Sequence, residues 1–556
     1  MLLQLRPPGA PAGDDRHAAA AAILAALGLG GCVLSFVSSP VLGPDGYLLP
    51  KSLIFQASVL LAACVLLLGQ RTIRLDMLDA CVAAVVILGI LSAVLNAENR
   101  WWAFRGLGLG MSVALAFTTA RTVSGAGHGR RLRAGIVVGA TLVAGTALLE
   151  AYGVLPFLSL PGRAPGGSMG NRNEMAHLLV VALPTAIWYA WTARARLSWS
   201  LVAVFLLVWA VTLSRTRAAW LALLVAIVCY GALRVLQRRS TTLPMAPTRT
   251  AWVVCACAAA VMTAAVLPND LSWRSSTPFA DSARSLADYE TGSGRGRTIQ
   301  YAATLRMIAG QPILGVGPGN WPVRYPEYAH PGDPSYRPER VFPTNRVPHS
   351  DWLGIAAEWG GLAGALLVVA AVLLIRQAGR VVPGESAREA PAYRTSVISL
   401  ACVLVVGALN PVVLLPAGGF MAALVLGASA PRDPLALTIQ VTRWRKYAAA
   451  SALLLVCGPS VVYAANQLRA SSRYSFNYSI ESLTEAVTLN PGDYYAQLLL
   501  AQAWVRSERC DRARPHAAAA QSLLPGARAP ARVWARCARR GEPGTGMGPA
   551  RARVRE

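Results

Sequence analysis

Two arginines and one histidine stand beside long apolar segments of this chain, and their chemistries complement one another. Arg215 lies in the turn LSRTRAAW, Arg297 lies in GRGRTIQYAATL, and His349 directly precedes an apolar stretch. Arginine is permanently charged and binds phosphate oxygens through paired hydrogen bonds. An imidazole, with an unperturbed pKa of about 6.5, accepts a proton near neutral pH. These residue types suit displacement of a phosphate leaving group by a hydroxyl.

A second set of polar and glycine residues lies close to these three in sequence and is predicted to bind substrate. Its members are Asn171, Asn173, Arg217, Arg295, Gly317, Gly319 and Asn320. Basic residues at the ends of apolar segments usually anchor to lipid headgroups, and Arg217 and Arg295 fit that alternative better than the others do.

Other residues are assigned structural roles or none. His330 is expected to be solvated, and His177 to be a satisfied histidine inside a bundle. Glu358 is expected to be a structural partner, with Arg105 as one candidate. The glycine-rich run GQPILGVGPGNWP has no phosphate-loop lysine, which excludes a nucleotide site. No Asp-x-Asp pair occurs and the six histidines are scattered, so neither a metal nor another cofactor is predicted.

The elements that position these residues are predicted to be membrane helices. Hydrophobic residues make up 54% of the 556 residues and charged residues only 14%, where soluble proteins carry about 25%. Apolar runs of about 20 residues can span a bilayer. Roughly thirteen such runs predict an all-α, polytopic helical bundle. They lie near 18–39, 52–69, 77–96, 101–120, 134–153, 175–192, 198–213, 218–236, 250–267, 352–375, 395–412, 417–430 and 446–466.

The basic residues predict an orientation for this bundle. If the N-terminus is cytoplasmic, twenty Lys and Arg residues fall in loops on the inside. Six fall in short loops on the outside, namely Lys51, Arg100, Arg163, Arg172, Arg215 and Arg217. The positive-inside rule then gives a cytoplasmic N-terminus, and the odd number of spans places the C-terminal tail outside. The net charge of +25 is thereby explained by topology rather than by nucleic-acid binding.

The chain is divided into six parts by its change of composition. They are a cytoplasmic segment (1–17), a first membrane half (18–267), a large outer loop (268–350), a second membrane part (351–467), a helical tail (468–540) and a disordered end (541–556). Within the loop, RTIQYAATLRMIAG has apolar residues at helical spacing and predicts an amphipathic helix at the interface.

The tail shows a weak internal repeat. Ala486, Leu489 and Pro491 recur after 34 residues as Ala520, Leu523 and Pro525. This is the tetratricopeptide period, although an Ala-rich helical hairpin would give a similar pattern. Eight of the ten cysteines fall in predicted spans, while Cys510 and Cys537 lie in the tail, where a disulfide and two unpaired thiols are both open.

Taken together, the ordered motifs resemble the O-antigen ligase and polymerase superfamily of bacterial envelope glycan enzymes. The elements that carry the resemblance are Gly170, Asn171 and Asn173; Ser214 and Arg215; Arg297 to Tyr301; the run Pro312 to Asn320; and His349 with Glu358, Gly360 or Gly361, and Gly364. The resemblance spans roughly 165–430. Tyr301 stands where Trp is more usual, and Ser350 and Asp351 stand where Asn often follows the histidine.

The resemblance implies a metal-independent, inverting glycosyltransferase at the outer face of a bacterial inner membrane. It implies an undecaprenyl-diphosphate-linked donor and an acceptor hydroxyl on lipid A-core, on a growing glycan or on a protein. In this family-based hypothesis Arg215 and Arg297 stabilise the diphosphate and His349 is the base. The tail suggests a protein partner. A lipid-linked glycan transporter is the alternative from another class, but it would place charges within spans and show repeated halves. A scaffold that presents the tail is a third alternative.

Overall fold

A computed structural model describes residues 14–37, 39, 42, 45–154, 164–192, 197–237, 247–273, 275–284, 292–379 and 386–539. Most of the predicted cytoplasmic segment and all of the predicted disordered end lie outside these residues. The helices that precede the large loop form the first half of a bundle. They are α1 (Asp14–Ala22), which continues through a π-helical stretch (Ile23–Gly30) into α2 (Gly31–Leu34), α3 (Asp45–Gly69), α4 (Met77–Leu95), α5 (Arg100–Val123), α6 (Gly129–Ala151), α7 (Arg172–Thr192), α8 (Leu197–Ser214), α9 (Arg217–Gln237) and α10 (Pro247–Val266).

The remaining helices belong to the loop, the second membrane part and the tail. They are α11 (Pro278–Arg284), α12 (Gly292–Gly310), α13 (Trp321–Arg324), α14 (Asp351–Glu358), α15 (Gly361–Gly379), α16 (Ser386–Leu409), α17 (Pro416–Ala428), α18 (Arg443–Tyr474), α19 (Ile480–Leu489), α20 (Tyr494–Arg506), α21 (Cys510–Leu523) and α22 (Ala529–Arg539).

The prediction of an all-α membrane bundle is confirmed. Within the described part of the chain, nine helices are long and apolar enough to cross a membrane. The longest, Arg100–Ala151, is divided by a kink at Gly127, where φ is 89°, and it accounts for two expected spans. Three shorter apolar helices, Trp199–Ser214, Arg217–Leu233 and Pro416–Ala428, coincide with three more.

Two local features differ from the sequence prediction. Strands β1 (Thr72–Leu75) and β2 (Leu437–Gln440) form an antiparallel ribbon at one end of the bundle, which we call the ribbon face. These strands are short and come from distant parts of the chain, so the sequence contains no β-hairpin signal that would predict them. The span expected at 352–375 is two helices, α14 and α15. They are separated at Gly360, whose φ of 93° cannot continue a helix.

A buried ionic network lies at the ribbon face. Arg121, whose side chain is fully buried, donates to both carboxylate oxygens of Asp76 at 2.8 and 2.5 Å and to the carbonyl of Pro431 at 2.6 Å. Its guanidinium also lies 2.9 Å from Asp79, which pairs with Arg432 at 3.0 Å. Arg121 is one of the twenty basic residues that the sequence prediction assigns to inside loops. In the structure it joins α4, α5 and the segment after α17.

We expect Arg121→Ala to destabilise the bundle by about 3–5 kcal/mol, because the variant leaves Asp76 and Asp79 buried with less compensation. Arg131→Ala removes an arginine with an exposed side chain near the same end and serves as the matched control. Thermal unfolding of the purified proteins in one detergent measures the difference. Equal unfolding temperatures for the two variants would contradict the structural role of the network.

The tail is a small helical unit that packs against the opposite end of the bundle, which we call the tail face. Asn99, which caps α5, donates to the carbonyl of Leu523 at 2.8 Å, and Tyr494 donates to the carbonyl of Val341 at 2.8 Å. Helix α19 ends at Leu489 and helix α21 ends at Leu523, which is the equivalence that the 34-residue spacing predicts. The tetratricopeptide identity itself stays a prediction.

The structure pairs Cys510 with Cys537 as a disulfide that links α21 to α22, and the other eight cysteines are free. We therefore expect the denatured, unreduced protein to react with eight equivalents of a maleimide, and with ten after reduction. Intact mass spectrometry of full-length protein, denatured in the maleimide directly at lysis so that no thiol oxidises during purification, counts the additions. Ten additions before reduction would contradict the pairing.

Candidate active site

One face of α12 organises the predicted catalytic residues. Gln300, Tyr301 and Thr304 lie three, four and seven residues after Arg297 and therefore share its face of the helix. The Gln300 amide oxygen accepts from the His349 backbone N–H at 2.6 Å. The single Tyr301 hydroxyl proton is shared between the His349 carbonyl at 3.1 Å and the Ala408 carbonyl at 3.0 Å. The helix thus fixes the backbone of His349 one turn from Arg297.

The same helix is less membrane-like than its sequence suggests. Buried Ala303 and Met307 pack in a small core with Trp321 and Tyr325 of the large loop, and Gln300 is fully buried beside them. The predicted amphipathic helix forms, but its inner face packs on protein. That face also includes a polar side chain, Gln300, which a prediction from the spacing of apolar residues does not consider.

Arg297 is held by an asparagine that follows a membrane span. Its Nη2 donates to the Asn410 amide oxygen at 2.9 Å. The Asn410 amide nitrogen lies 3.4 Å from Nε2 of His177, a buried histidine of α7. The hydrogen bond from Arg297 to Asn410 is to a neutral oxygen, so it fixes the guanidinium without neutralising its charge. The chain places His177 where the sequence predicted it, inside the bundle.

Arg215 occupies the short turn between α8 and α9. Its φ of 54° is left-handed, which is uncommon for a residue other than glycine. Its Nε donates to the Ser282 hydroxyl at 2.9 Å, and its guanidinium lies 4.8 Å from the centre of the Trp273 ring. The large loop therefore contacts this side chain with a neutral hydroxyl and an aromatic face, and the carboxylate of Asp281 in the same loop lies near enough to interact with its charge.

The start of α7 lies between the two arginines. Asn173 accepts from the hydroxyl of Thr216, next to Arg215, at 3.2 Å. His177, four residues later on the same helical face, contacts the asparagine that holds Arg297. One turn of α7 therefore links the surroundings of both arginines. Asn171 accepts from the Asn173 backbone N–H at 3.0 Å and acts as a local turn residue at the start of α7.

The glycine-rich run packs on α4 and α5 rather than forming an open loop. Gly317 has φ 98°, and a Cβ there would lie 2.7 Å from that of Ala97. Asn320 is fully buried, accepts from the Asn99 backbone N–H at 2.7 Å and donates to the Asn99 carbonyl at 3.1 Å. These contacts give Gly317 and Asn320 a structural explanation. Gly319 lines a large cavity and can still face a ligand.

Glu358 has a different partner from the one predicted. Its carboxylate accepts from the Gly319 and Trp321 backbone N–H groups at 2.9 and 3.1 Å, and so it ties the glycine-rich run to the end of α14. The ion pair of Arg105 is instead with Asp45, at 4.0 Å. The expected Glu358–Arg105 pairing is therefore wrong, because exposed amides of a glycine turn satisfy a buried carboxylate equally well.

Asp351 performs a similar task at the other end of α14. It is fully buried and accepts from the backbone N–H groups of Val412 at 2.9 Å, Val413 at 2.9 Å and Leu414 at 3.1 Å. Burial raises the pKa of Asp351 to about 7, against the three donors that lower it. The turn held in this way begins with Asn410, the partner of Arg297.

The other predicted residues lie at the edge of this arrangement. Arg217 begins α9 and is partly buried, while Arg295 is exposed on the first turn of α12. His330 is an exposed loop residue. The structure brings Arg297 and His349 together through α12 and joins Arg215 to them through α7. Among the described residues, no group of three or more His, Cys, Asp or Glu side chains is placed to hold a metal ion.

Sequence reasoning missed the residues that hold the site. Asn410 and Asp351 are the main ones, together with Gln300, Ser282 and Trp273. An Asn-Pro pair directly after an apolar span is a turn signal that could have identified Asn410. The partners of Arg215 carry no such signal, because they lie more than fifty residues away in the loop.

We expect Asp351→Ala to lower the free energy of unfolding by about 1–3 kcal/mol, since it leaves three buried N–H groups without their acceptor. Ser350→Ala, which removes only the N-cap of α14, should cost about 1 kcal/mol. Asp351→Asn keeps one acceptor oxygen and should fall between them. Thermal unfolding measures all three, and a Ser350→Ala effect larger than that of Asp351→Ala would refute the role given to Asp351.

Residues 202–369 match the family model described as O-antigen ligase. The matched segment contains Arg215, Arg297, the glycine-rich run and His349, and it supports the resemblance inferred from the sequence motifs. No curated protein matches the chain.

Proposed function

We propose that this chain, an O-antigen ligase/polymerase-type membrane enzyme, transfers a glycan from an undecaprenyl-diphosphate donor to an acceptor hydroxyl in cell-surface polysaccharide synthesis. The observation that carries the proposal is the arrangement of two arginines, each hydrogen-bonded to a neutral oxygen, around the first turn of α7, with His349 fixed one helical turn from Arg297. Arginine stays protonated at physiological pH, and its guanidinium can donate paired hydrogen bonds to an anionic ligand.

The proposed reaction is a direct displacement. The acceptor oxygen attacks the anomeric carbon of the donor sugar, and its proton passes to the His349 imidazole. The bond between that carbon and the diphosphate oxygen breaks, and the electron pair remains on undecaprenyl diphosphate. Arg215 and Arg297 stabilise the negative charge that develops there. Attack opposite the leaving group inverts the anomeric centre, and no covalent enzyme intermediate forms.

The holding residues support these roles because they restrict the groups that would react. Gln300 and Tyr301 fix both backbone polar groups of His349, and Asn345 lies 3.2 Å from its Nε2. A base and an arginine whose positions are both set by one helix, α12, need little reorganisation during the reaction. We further propose that the site faces the periplasm, with the N-terminus in the cytoplasm, because the basic loop residues favour that orientation.

We expect Arg215→Ala and Arg297→Ala each to lower the rate of transfer about a hundredfold or more, since each removes a charge that stabilises the leaving group. His349→Ala should cost about 10²- to 10⁴-fold, the usual contribution of a general base. The assay introduces each variant into a strain that lacks the gene, and follows the surface polysaccharide on gels and the lipid-linked donor by mass spectrometry.

Two matched variants control for loss of charge or imidazole elsewhere. Arg306→Ala removes an exposed arginine from α12, and His330→Ala removes an exposed loop histidine. Both should keep full transfer, with membrane levels equal to those of the site variants. Unchanged surface polysaccharide in all three site variants would remove the enzymatic assignment. Turnover of the purified protein that is abolished by EDTA would contradict the arginine clamp.

A further inference from the structure

A large cavity adjoins the segment that carries His349, and neither Arg215 nor Arg297 lines it. It has a volume of about 800 Å³ and is bounded by α4, α5, α14, α15, α16 and the turn before α17. Val347 and Trp352, which flank the catalytic segment, line it, and so does Leu414 from the turn that Asp351 holds. The cavity therefore begins beside the proposed base and is not part of the arginine cluster.

The walls of this cavity are apolar along most of its length. On α5 its lining extends from Trp102 to Phe117, about 22 Å at 1.5 Å per residue. That length exceeds one leaflet of the hydrocarbon core, about 15 Å. The lining residues from α4, α15 and α16 are almost all aliphatic, among them Val82, Leu367 and Val403. A slot of this length and composition suits a hydrocarbon chain.

The charged lining residues are gathered at the tail face. They are Asp45, Arg105, Arg346, Glu358 and Asp493. Arg346 forms an ion pair with Asp45, and its guanidinium lies 4.5 Å from the centre of the Phe342 ring. Asp493 accepts from the Tyr474 hydroxyl at 2.9 Å. Groups of both signs, two arginines and three carboxylates, therefore line the polar end of the cavity.

This balance of charge selects the kind of headgroup that fits. The carboxylates would repel a diphosphate. Carboxylate oxygens that accept hydrogen bonds and guanidinium groups that donate them together match the hydroxyls of a sugar. Trp102, Tyr494 and Tyr495 add aromatic surfaces with polar tips, which are common where apolar and wet regions meet. The last two belong to the tail, as does Asp493, so the tail forms one wall of the polar end.

We propose that the cavity is a second lipid site, which holds the hydrocarbon chain of a membrane-anchored saccharide while the turn between α19 and α20 closes over its sugar. The inference rests on the proposed function, because it makes this lipid the acceptor whose hydroxyl reaches His349. It selects a lipid-borne glycan over a protein as the acceptor. It also gives the tail a role in acceptor selection rather than in recruiting a separate protein.

The test is photo-crosslinking of the full chain in phosphatidylcholine nanodiscs, without donor. Three probes share one diazirine-bearing acyl chain and differ in the head: a glucosyl diacylglycerol, the diacylglycerol itself and a phosphatidic acid. We expect the glucosyl probe to label the cavity-lining faces of α5 and α15 and to outcompete the other two. Peptide mass spectrometry locates the adducts.

Cavity-filling variants make the test specific. Ala371→Phe on α15 and Ala114→Phe on α5 both project into the cavity and should each lower labelling about tenfold, the result of a lost binding site. Val369→Phe changes an exposed residue of α15 that does not line the cavity, and it should label like the parent. Arg105→Gln should reduce the glucosyl probe to the level of the probe without sugar. Two variants on two helices guard against misfolding of either one.

Three results would overturn the proposal. Equal labelling by all probes, or labelling that Ala371→Phe and Ala114→Phe leave unchanged, would mean that the cavity holds only bulk lipid. Strongest labelling by the phosphatidic acid probe would mean a phosphate-bearing lipid instead of a saccharide. Since no turnover is required, this outcome is independent of the His349→Ala assay. Labelling without transfer rejects only the proposed function, and transfer without labelling rejects only the second lipid site.

Discussion

Two buried carboxylates at opposite ends of one eight-residue helix hold the irregular backbone on which the site depends. Asp351 at the start of α14 accepts from three consecutive amides of the turn after α16. Glu358 at its end accepts from two amides of the glycine-rich run. Non-helical backbone near a membrane must have its polar groups satisfied within the protein. With both segments fixed to α14, Asn410, His349 and the cavity wall acquire defined positions.

Arginine serves three different purposes in this fold, and its partners distinguish them. Arg121 is fully buried between aspartates and stabilises the ribbon face. Arg105 and Arg346 also pair with an aspartate, but at the edge of a cavity, where such pairs can exchange hydrogen bonds with a ligand. Arg215 and Arg297 hydrogen-bond to a hydroxyl and an amide oxygen. In the last arrangement, the hydrogen bonds to neutral oxygens position each guanidinium without themselves neutralising its charge.

The sequence predicted the parts of the structure that composition and spacing control. Long apolar runs predicted the helices and their approximate limits. The family motifs singled out residues that α12 and α7 bring near one another. The sequence could not predict the β-ribbon, the partners of Arg215 or those of Glu358. Each of these depends on contacts between segments tens to hundreds of residues apart, for which a single sequence carries no local signal.

The docking of the tail also sets an order of assembly. A ribosome makes α19 and α20 after all of the candidate spans, yet Asp493 and Tyr494 line a cavity whose other walls come from segments made earlier. The cavity therefore cannot be closed until these two tail helices have been made. A protein truncated after α18 would contain every candidate span and all three catalytic candidates. Its cavity, however, would stay open at the polar end. Synthesis of the tail thus becomes a condition for closing the cavity.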